Sequence, residues 1–357
     1  MKNKHLPQLD GLRGVALLIV VLGHIIVFSF GFHNLRLGFV PPVGVDLFFV
    51  LSGFLITTIL VRSKGQMHFY RNFYARRSLR IWPLYFFLLL FEFGFANHRL
   101  PDVAIASTAH WPIFALYLQN IIYPGPQPNP GVLVLAITWS LAVEEQFYLI
   151  WPLLVARLSI RHMVAVLGVI IAFAPFARYL VEAAGRDSYT FPLCRIDAMA
   201  MGGLLAIWLI IKEPVGAIIS KNGVLMIAAA LAGQVICHFA HISHYVDKSF
   251  AALAFTGLLA IALHQSLVIR ILSIAPLRFT GKISYCMYLS HAVIGPLIFH
   301  YLPGTSFSRA ATRSVLVLAA TYGYSTLSWF FFEQPILRFK RFFPERASAI
   351  ATSHQVA

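Results

Sequence analysis

The sequence predicts an all-α, polytopic membrane protein of about ten transmembrane helices, with both termini cytoplasmic. Three observations predict it. The chain is 59% hydrophobic and 11% charged, with a mean hydropathy of +0.76, whereas soluble domains carry about 25% charged residues. Apolar runs of about 20 residues, long enough to cross a bilayer as helices, recur along the chain. Basic residues gather on alternate connecting segments, as cytoplasmic segments of membrane proteins do. A soluble helical core is excluded, because no single interior could absorb so many runs.

The first run, 12–31, lies in "LDGLRGVALLIVVLGHIIVFSF". It is long and lacks a small-residue cleavage site near its end, so it reads as a spanning helix rather than a cleaved leader. The second, 45–62, runs back antiparallel to it. A cationic inner segment then leads to the third, 81–97. The apolar piece 103–122 reads as interfacial or re-entrant, because an eleventh span would invert the sidedness of every later charge. The prolines of "YPGPQPNPG" cannot continue a helix, so this stretch is either a lid at the outer face or an ordinary connector. The remaining spans are 138–157, 164–182, 195–212, 223–240, 249–268, 283–302 and 312–333. One membrane domain, 1–343, is expected, with a short disordered tail at 344–357 and no soluble domain after the last helix.

This arrangement puts twenty of the 28 lysines and arginines on inner segments or at an inner helix start. It accounts for the net charge of +15 without nucleic acid, for which no binding motif is present. Cys194, Cys237 and Cys286 show no metal spacing and read as packing residues, with a Cys194–Cys237 disulfide as the alternative. No metal is expected.

Four constellations carry chemistry. Arg13 and His24 are eleven residues apart, three turns plus about 20° of a helix, so they share one face. An ionisable group inside a span is a functional candidate, although His24 alone could be a packing residue and Arg13 alone an interface anchor. Asp46, near the outer end of the second span, either caps that helix or reaches His24 and steadies its imidazolium. The inner segment "RSKGQMHFYRNFYARRSLRIWPLY" carries a run of cations without an acid. Arg77 and Arg80 share a face there. Their planar forks suit phosphate, with anionic lipid headgroups as the competing ligand. Glu144 and Glu145 lie in the apolar "TWSLAVEEQFYLIWPLL", and at least one of them should face a cavity. "ISYCMYLSH" adds Tyr285, Tyr288, Ser290 and His291, and Asp197 opens the sixth span. These polar groups either carry chemistry or join helices by hydrogen bonds.

The chain resembles the acyltransferase-3 family of membrane O-acyltransferases. The resemblance covers almost the whole chain and rests on "LDGLRGVALLIVVLGH", "GVDLFFVLSGFL", "ARRSLRIWPLY", "TWSLAVEEQFYL", "RIDAMAMGGLLA", "ISYCMYLSH" and "FFFEQPI", in that order. It implies transfer of an acyl group, usually acetyl, from cytoplasmic acetyl-CoA or another acyl-CoA to a hydroxyl of an outer-face carbohydrate or glycosylated acceptor. It places the protein in the bacterial cytoplasmic (inner) membrane, among membrane lipids. The family's R-x10-H motif falls on Arg13 and His24, and its R-x-x-R motif on Arg77 and Arg80. The expected donor-binding set is Arg13, Arg76, Arg77, Arg80 and Tyr85. The expected catalytic set is His24, Asp46, Glu144 and Glu145, with His24 as general base or, alternatively, as an acylated nucleophile. Trp139, Ser140 and His291 are expected to meet the acceptor. Transfer would be direct, or would be finished by a separate extracytoplasmic transferase. The rival reading is a proton-coupled secondary transporter of a small polar solute, against which the missing internal repeat and the one-sided cation cluster count. A non-catalytic lipid-binding scaffold is the third.

Overall fold

The computed structural model describes residues 6–30, 40–96, 110–122, 133–211, 222–304 and 306–344. Among the described residues every regular element is a helix. Three long helices open the chain: α1 (Pro7–Phe30), α2 (Val40–Ser63) and α3 (Phe69–Leu89), the last continuing into a π-helical turn, Leu90–Ala96. Short helices α4 (Trp111–Ala115), α5 (Gln119–Ile122) and α6 (Leu133–Ala136) precede α7 (Trp139–Arg157) and α8 (Ile160–Ala183). A 3-10 turn, Pro192–Cys194, leads to α9 (Ile196–Ile211). Then come α10 (Gly223–Phe239), α11 (Ser243–His264), the short α12 (Ser266–Leu272), α13 (Ala275–Tyr301) and α14 (Phe307–Ser328). The last of these runs through a π-turn, Trp329–Glu333, into α15 (Gln334–Leu337) and a 3-10 turn, Arg338–Phe342.

Seven helical segments among the described residues are long and apolar enough to cross a membrane: Pro7–Val27, Val43–Ser63, Phe69–Phe95, Ile160–Ala183, His244–His264, Ala275–Tyr301 and Phe307–Phe342. Helices α9 and α10 are apolar but shorter. Helix α7 has 19 residues and carries Glu144, Glu145 and Gln146 in its middle.

Several helices begin before the apolar runs that announce them. Helix α1 starts at Pro7 rather than 12, because proline suits a first helical position that needs no donor and Asp10 complements the positive end of the helix dipole. Helix α3 starts at Phe69 rather than 81 and α13 at Ala275 rather than 283. Hydropathy detects only the apolar middle of a helix. The polar turns beyond it keep their i→i−4 hydrogen bonds, and this puts the cationic stretch 71–80 on a helix rather than in a loop.

Helix α1 is central and packs on α2, α13 and α14, while α2 packs along α9 and α10 along α11. Glycines permit the close contacts. A Cβ on Gly53 would strike the backbone of Met199, one on Gly202 that of Val50, and one on Gly281 that of Asp10. Small residues at such crossings let helices associate through backbone-to-backbone packing in lipid. Gly53→Leu is therefore expected to lower the thermal unfolding midpoint of detergent-purified protein, corresponding to at least about 1–3 kcal/mol of overpacking strain. Gly168→Leu, at a position where an added Cβ meets nothing within 4 Å, should leave that midpoint unchanged.

Three expectations are corrected or bounded. Cys194 and Cys237 are both free thiols, not a disulfide, and Cys286 is free as well. Burial pushes the Cys194 thiol up to about 11, so it stays protonated at neutral pH. The described part of 103–122 is broken into helices of five and four residues, with Tyr117 between them at φ 55. It forms no single long helix. The segment "YPGPQPNPG" and the tail beyond Pro344 lie outside the described residues.

Candidate active site

The site grows from the faces of α1 and α2. On α1, Arg13, Leu17, Val20 and His24 follow one helical face, with Leu17 and Val20 fully buried between the two ionisable groups. Eleven residues at 1.5 Å each separate those groups by about 16 Å along the axis. On α2, Val45, Phe48, Phe49 and Ser52 form the face that lines a cavity of about 60 Å³. Arg13, Glu144, Ser140, Ser284, Tyr285 and Tyr288 complete its polar lining. His24 and His291 line a second, smaller cavity of about 20 Å³, walled by Ile25, Ile137, Phe299 and Val317.

The two linings are joined by hydrogen bonds. The Ser140 hydroxyl lies 2.7 Å from that of Tyr288, and the two oxygens lie 3.2 and 2.9 Å from the Ile137 carbonyl, so two hydroxyl protons are shared among three contacts. The Tyr288 ring packs 5.9 Å from the ring of His291. A larger groove of about 290 Å³ between α3, α13 and α14 is lined mostly by apolar side chains such as Phe87, Phe91 and Leu289. Of the polar residues singled out in the sequence, only Ser290 lines it.

The predicted cations converge in part. Arg13, Arg77 and Arg80 are close enough to act electrostatically on one another. The offsetting carboxylates are Glu144 and Glu145 toward Arg77, and Glu333 and Asp10 toward Arg80. Glu333 sits in the π-turn that ends α14. Arg77 also lies over the Tyr148 ring, 5.3 Å from its centroid. Arg76 points elsewhere, donating to the carbonyls of Lys340 and Phe343 at 3.3 and 3.0 Å. Tyr85 does not join the cations either. Its hydroxyl donates to the Phe114 carbonyl at 2.8 Å and accepts from Gln119, and its ring stacks on Tyr117. It anchors the short helices α4 and α5.

The two glutamates separate because successive helical residues point about 100° apart. Glu144 faces the cavity, accepting hydrogen bonds from Ser52 at 2.7 Å and Tyr148 at 3.1 Å. Glu145 faces Trp82, whose indole N–H donates to it at 3.3 Å.

Asp46 is committed to Arg195 rather than to His24: the two buried side chains form an ion pair, with Lys248 4.0 Å from the other carboxylate oxygen. Depth explains the miss. Gly44 packs against Ala16 and Val20, and α2 descends as α1 rises, so Asp46 lies more than a turn below His24. Direction explains it too. Asp46, Val50 and Gly53 share the face that packs on α9. Arg195 is enclosed by Phe49, Trp139 and Tyr189, at 5.8, 5.3 and 5.3 Å from their ring centroids. A neighbouring pair, Arg178 and Asp197 at 2.6 Å, is tied by Ser249. Trp139 is thus a wall of the Arg195 cage, whereas Ser140 lines the cavity.

His291 pairs with His24 rather than standing apart as an acceptor contact. Its Nε2 lies 3.3 Å from His24 Nδ1, and its Nδ1 lies 3.1 Å from the Met287 carbonyl. Sequence reasoning did not single out Ser52, Ser284 and Arg195. The spacing of 45, 48, 49 and 52 could have found the first; the other two lie in the quoted blocks "ISYCMYLSH" and "RIDAMAMGGLLA".

A bundle of apolar helices thus holds arginines at one end of the helix that carries the half-buried His24, with a carboxylate and hydroxyls between. A family model described as an acyltransferase domain matches residues 6–333. The chain belongs to this acyltransferase-3 family and is an integral membrane protein. It is 30% identical over 370 residues to the peptidoglycan O-acetyltransferase OatA of Listeria monocytogenes, covering 94% of this chain and 56% of that protein. The putative peptidoglycan O-acetyltransferase YrhL of Bacillus subtilis is 30% identical over 94% of this chain and 55% of its own length. An O-acetyltransferase OatA of Staphylococcus aureus is 29% identical over 98% and 60% respectively. The chain thus spans a little over half the length of these relatives. No solved structure matches it.

Proposed function

We propose that the protein is a membrane O-acetyltransferase that moves an acetyl group from cytoplasmic acetyl-CoA to a hydroxyl of a carbohydrate acceptor, of the peptidoglycan class that the names of the Listeria and Bacillus relatives state. In this reading all ten long helices span the bacterial cytoplasmic membrane: α1, α2, α3, α7, α8, α9, α10, α11, α13 and α14. Both termini are cytoplasmic, and the Arg13 end faces the cytosol.

One observation carries the reading: Arg13, Arg77 and Arg80 gather at one end of the helix that carries His24. Like charges held together in a partly desolvated place are costly unless an anion joins them. Coenzyme A supplies phosphates at one end of a long arm and a thioester at the other. With the phosphates on the arginines, the arm leads the thioester along α1 toward His24. His24 takes the proton of the acceptor hydroxyl while the hydroxyl oxygen bonds to the thioester carbonyl carbon. The C–S bond then breaks, and the proton on His24 passes to the leaving thiolate, giving the ester and free coenzyme A. The hydroxyls of Ser140 and Tyr288, on the wall between the two cavities, would have to turn from the Ile137 carbonyl to donate to the developing oxyanion.

The test is incubation of detergent-purified protein with labelled acetyl-CoA and an oligosaccharide acceptor. Wild type is expected to cleave the thioester and label the acceptor, and His24→Ala to do neither. Equal cleavage by both proteins would remove His24 from the chemistry; an intact thioester with both would favour a transporter or scaffold.

A further inference from the structure

We propose that Arg313 binds the acceptor: with the Ser29 hydroxyl it forms a subsite, one turn beyond the histidine cavity, for a carboxylate on the sugar that is acetylated. This rests on the reading of His24 as the transfer centre and deepens it by naming an acidic saccharide as the substrate class.

Among the described residues three arginines are enclosed, Arg178 and Arg195 at 1% exposure each and Arg313 at 9%. The first two face carboxylates, Asp197 and Asp46. No carboxylate among the described residues lies within ion-pair distance of Arg313. Its neighbours are a carbonyl and a ring. Nη2 donates to the Ser29 carbonyl at 3.1 Å, and the guanidinium lies 5.1 Å from the Phe299 ring centroid. These contacts offset part of the desolvation but do not neutralise the charge. The buried Nε of Arg313 makes no hydrogen bond, and neither does the buried hydroxyl of Ser29. Capping the last turn of α1 accounts for the bond to the Ser29 carbonyl. It needs one N–H and no net charge. A buried ionisable group without a partner of opposite sign, inside a membrane bundle, marks a functional site. An anion there would meet a positive charge, an N–H and a hydroxyl at once.

The helices that wall the histidine cavity fix the place. Ile25, Phe299 and Val317 all line it. Ser29 is four residues beyond Ile25 on α1, and Arg313 is four residues before Val317 on α14. Each therefore lies one turn farther along the same face as a cavity wall, and the two meet at the bond described above. Phe299 belongs both to the cavity wall and to the Arg313 contact. Five residues at 1.5 Å set Ser29 about 7.5 Å past His24 along the axis, a gap that one sugar residue can bridge between its hydroxyl and its carboxylate. This is the end of α1 away from Arg13, the outer end in the proposed topology, where the acceptor arrives.

The experiment measures binding by titration calorimetry in detergent without acetyl-CoA. The probes are a peptidoglycan-derived oligosaccharide with a free sugar carboxylate and its methyl ester. Wild type is expected to bind the free acid at least about tenfold more tightly than the ester. Arg313→Gln keeps an N–H for the Ser29 carbonyl but loses the charge. It should weaken binding of the acid by about 10- to 100-fold and of the ester by less than about twofold. Arg313→Lys, which keeps the charge, should hold the acid's affinity within about tenfold of wild type. A cap alone predicts equal effects on acid and ester. Equal binding of the two probes by wild type, or an undiminished preference for the acid in Arg313→Gln, overturns the proposal. Arg313-dependent binding of phosphatidylglycerol in place of the acid would also overturn it, assigning the cation to a lipid headgroup. The comparison of acid with ester on wild-type protein decides the matter even if the variants fail to fold. Wild-type protein that cleaves no acetyl-CoA yet binds the acid through Arg313 would end the enzymatic reading and keep the subsite.

Discussion

Arg80→Gln is expected to weaken acetyl-CoA binding by about 10- to 100-fold, the worth of one hydrogen bond between charged groups, yet to leave the ligand-free protein at least as stable as wild type. The two effects have opposite signs for one reason. Arg13 and Arg77 set like charge beside the partly buried Arg80. Glu333 and Asp10 oppose this repulsion. Removing one of three mutually repelling guanidiniums relieves the empty protein and deprives the donor's phosphates of a partner. Stability given up to preorganise a site is a common feature of binding centres. Isothermal titration with acetyl-CoA and thermal melting in detergent check the two halves. Arg76→Ala is the control, since Arg76 holds the backbone of Lys340 and Phe343 instead. A wild-type affinity in Arg80→Gln would end the phosphate role for that residue.

Arg195→Met is expected to destabilise the protein by about 3–5 kcal/mol, the cost of leaving one member of a buried ion pair alone. Asp46 would be the stranded charge, with Lys248 at 4.0 Å and Arg178 farther off as remaining cations. The double variant Arg195→Met with Asp46→Leu should recover most of the loss, because two apolar side chains replace a pair that had to be desolvated. Unfolding midpoints of the three proteins measure this directly. Activity of the double variant then separates structure from chemistry. A stable, active protein assigns Asp46 to holding α2 against α9, and a stable, inactive one restores it to the reaction.

Much of the fold was legible because lipid imposes one constraint everywhere. A spanning segment must be apolar and must satisfy its own backbone, so composition alone reveals it. In their described residues nearly all of the apolar runs are continuously helical, though 249–268 crosses the break at Gln265 between α11 and α12, and seven helical segments among the described residues are long and apolar enough to cross a membrane. Helix ends were less legible, since the polar turns at 69–80 and 275–282 are helical without being hydrophobic. Within the site, Arg13 and His24 could be placed on one face from their spacing. Arg77 and Arg80 could be separated from Arg76 by the same arithmetic. The His24–His291 contact could not, because the two lie 267 positions apart and nothing local in either helix points to the other. Asp46 shows the opposite case. Its depth was estimated from topology, but its direction was already written in Gly53, seven residues on, which marks the face turned to α9.

The hydrogen-bonded knot of Ile137, Ser140 and Tyr288 has a consequence for the cell rather than for the reaction. A histidine pair reachable from both aqueous phases would be a route for protons, and any enzyme built around one would drain the electrochemical gradient across its bilayer. The knot lies between the arginine-lined chamber and the histidine chamber, which are separate cavities in the structure. Under the proposed reaction the partition would have to part for the substrate arm, which would then fill the opening it makes.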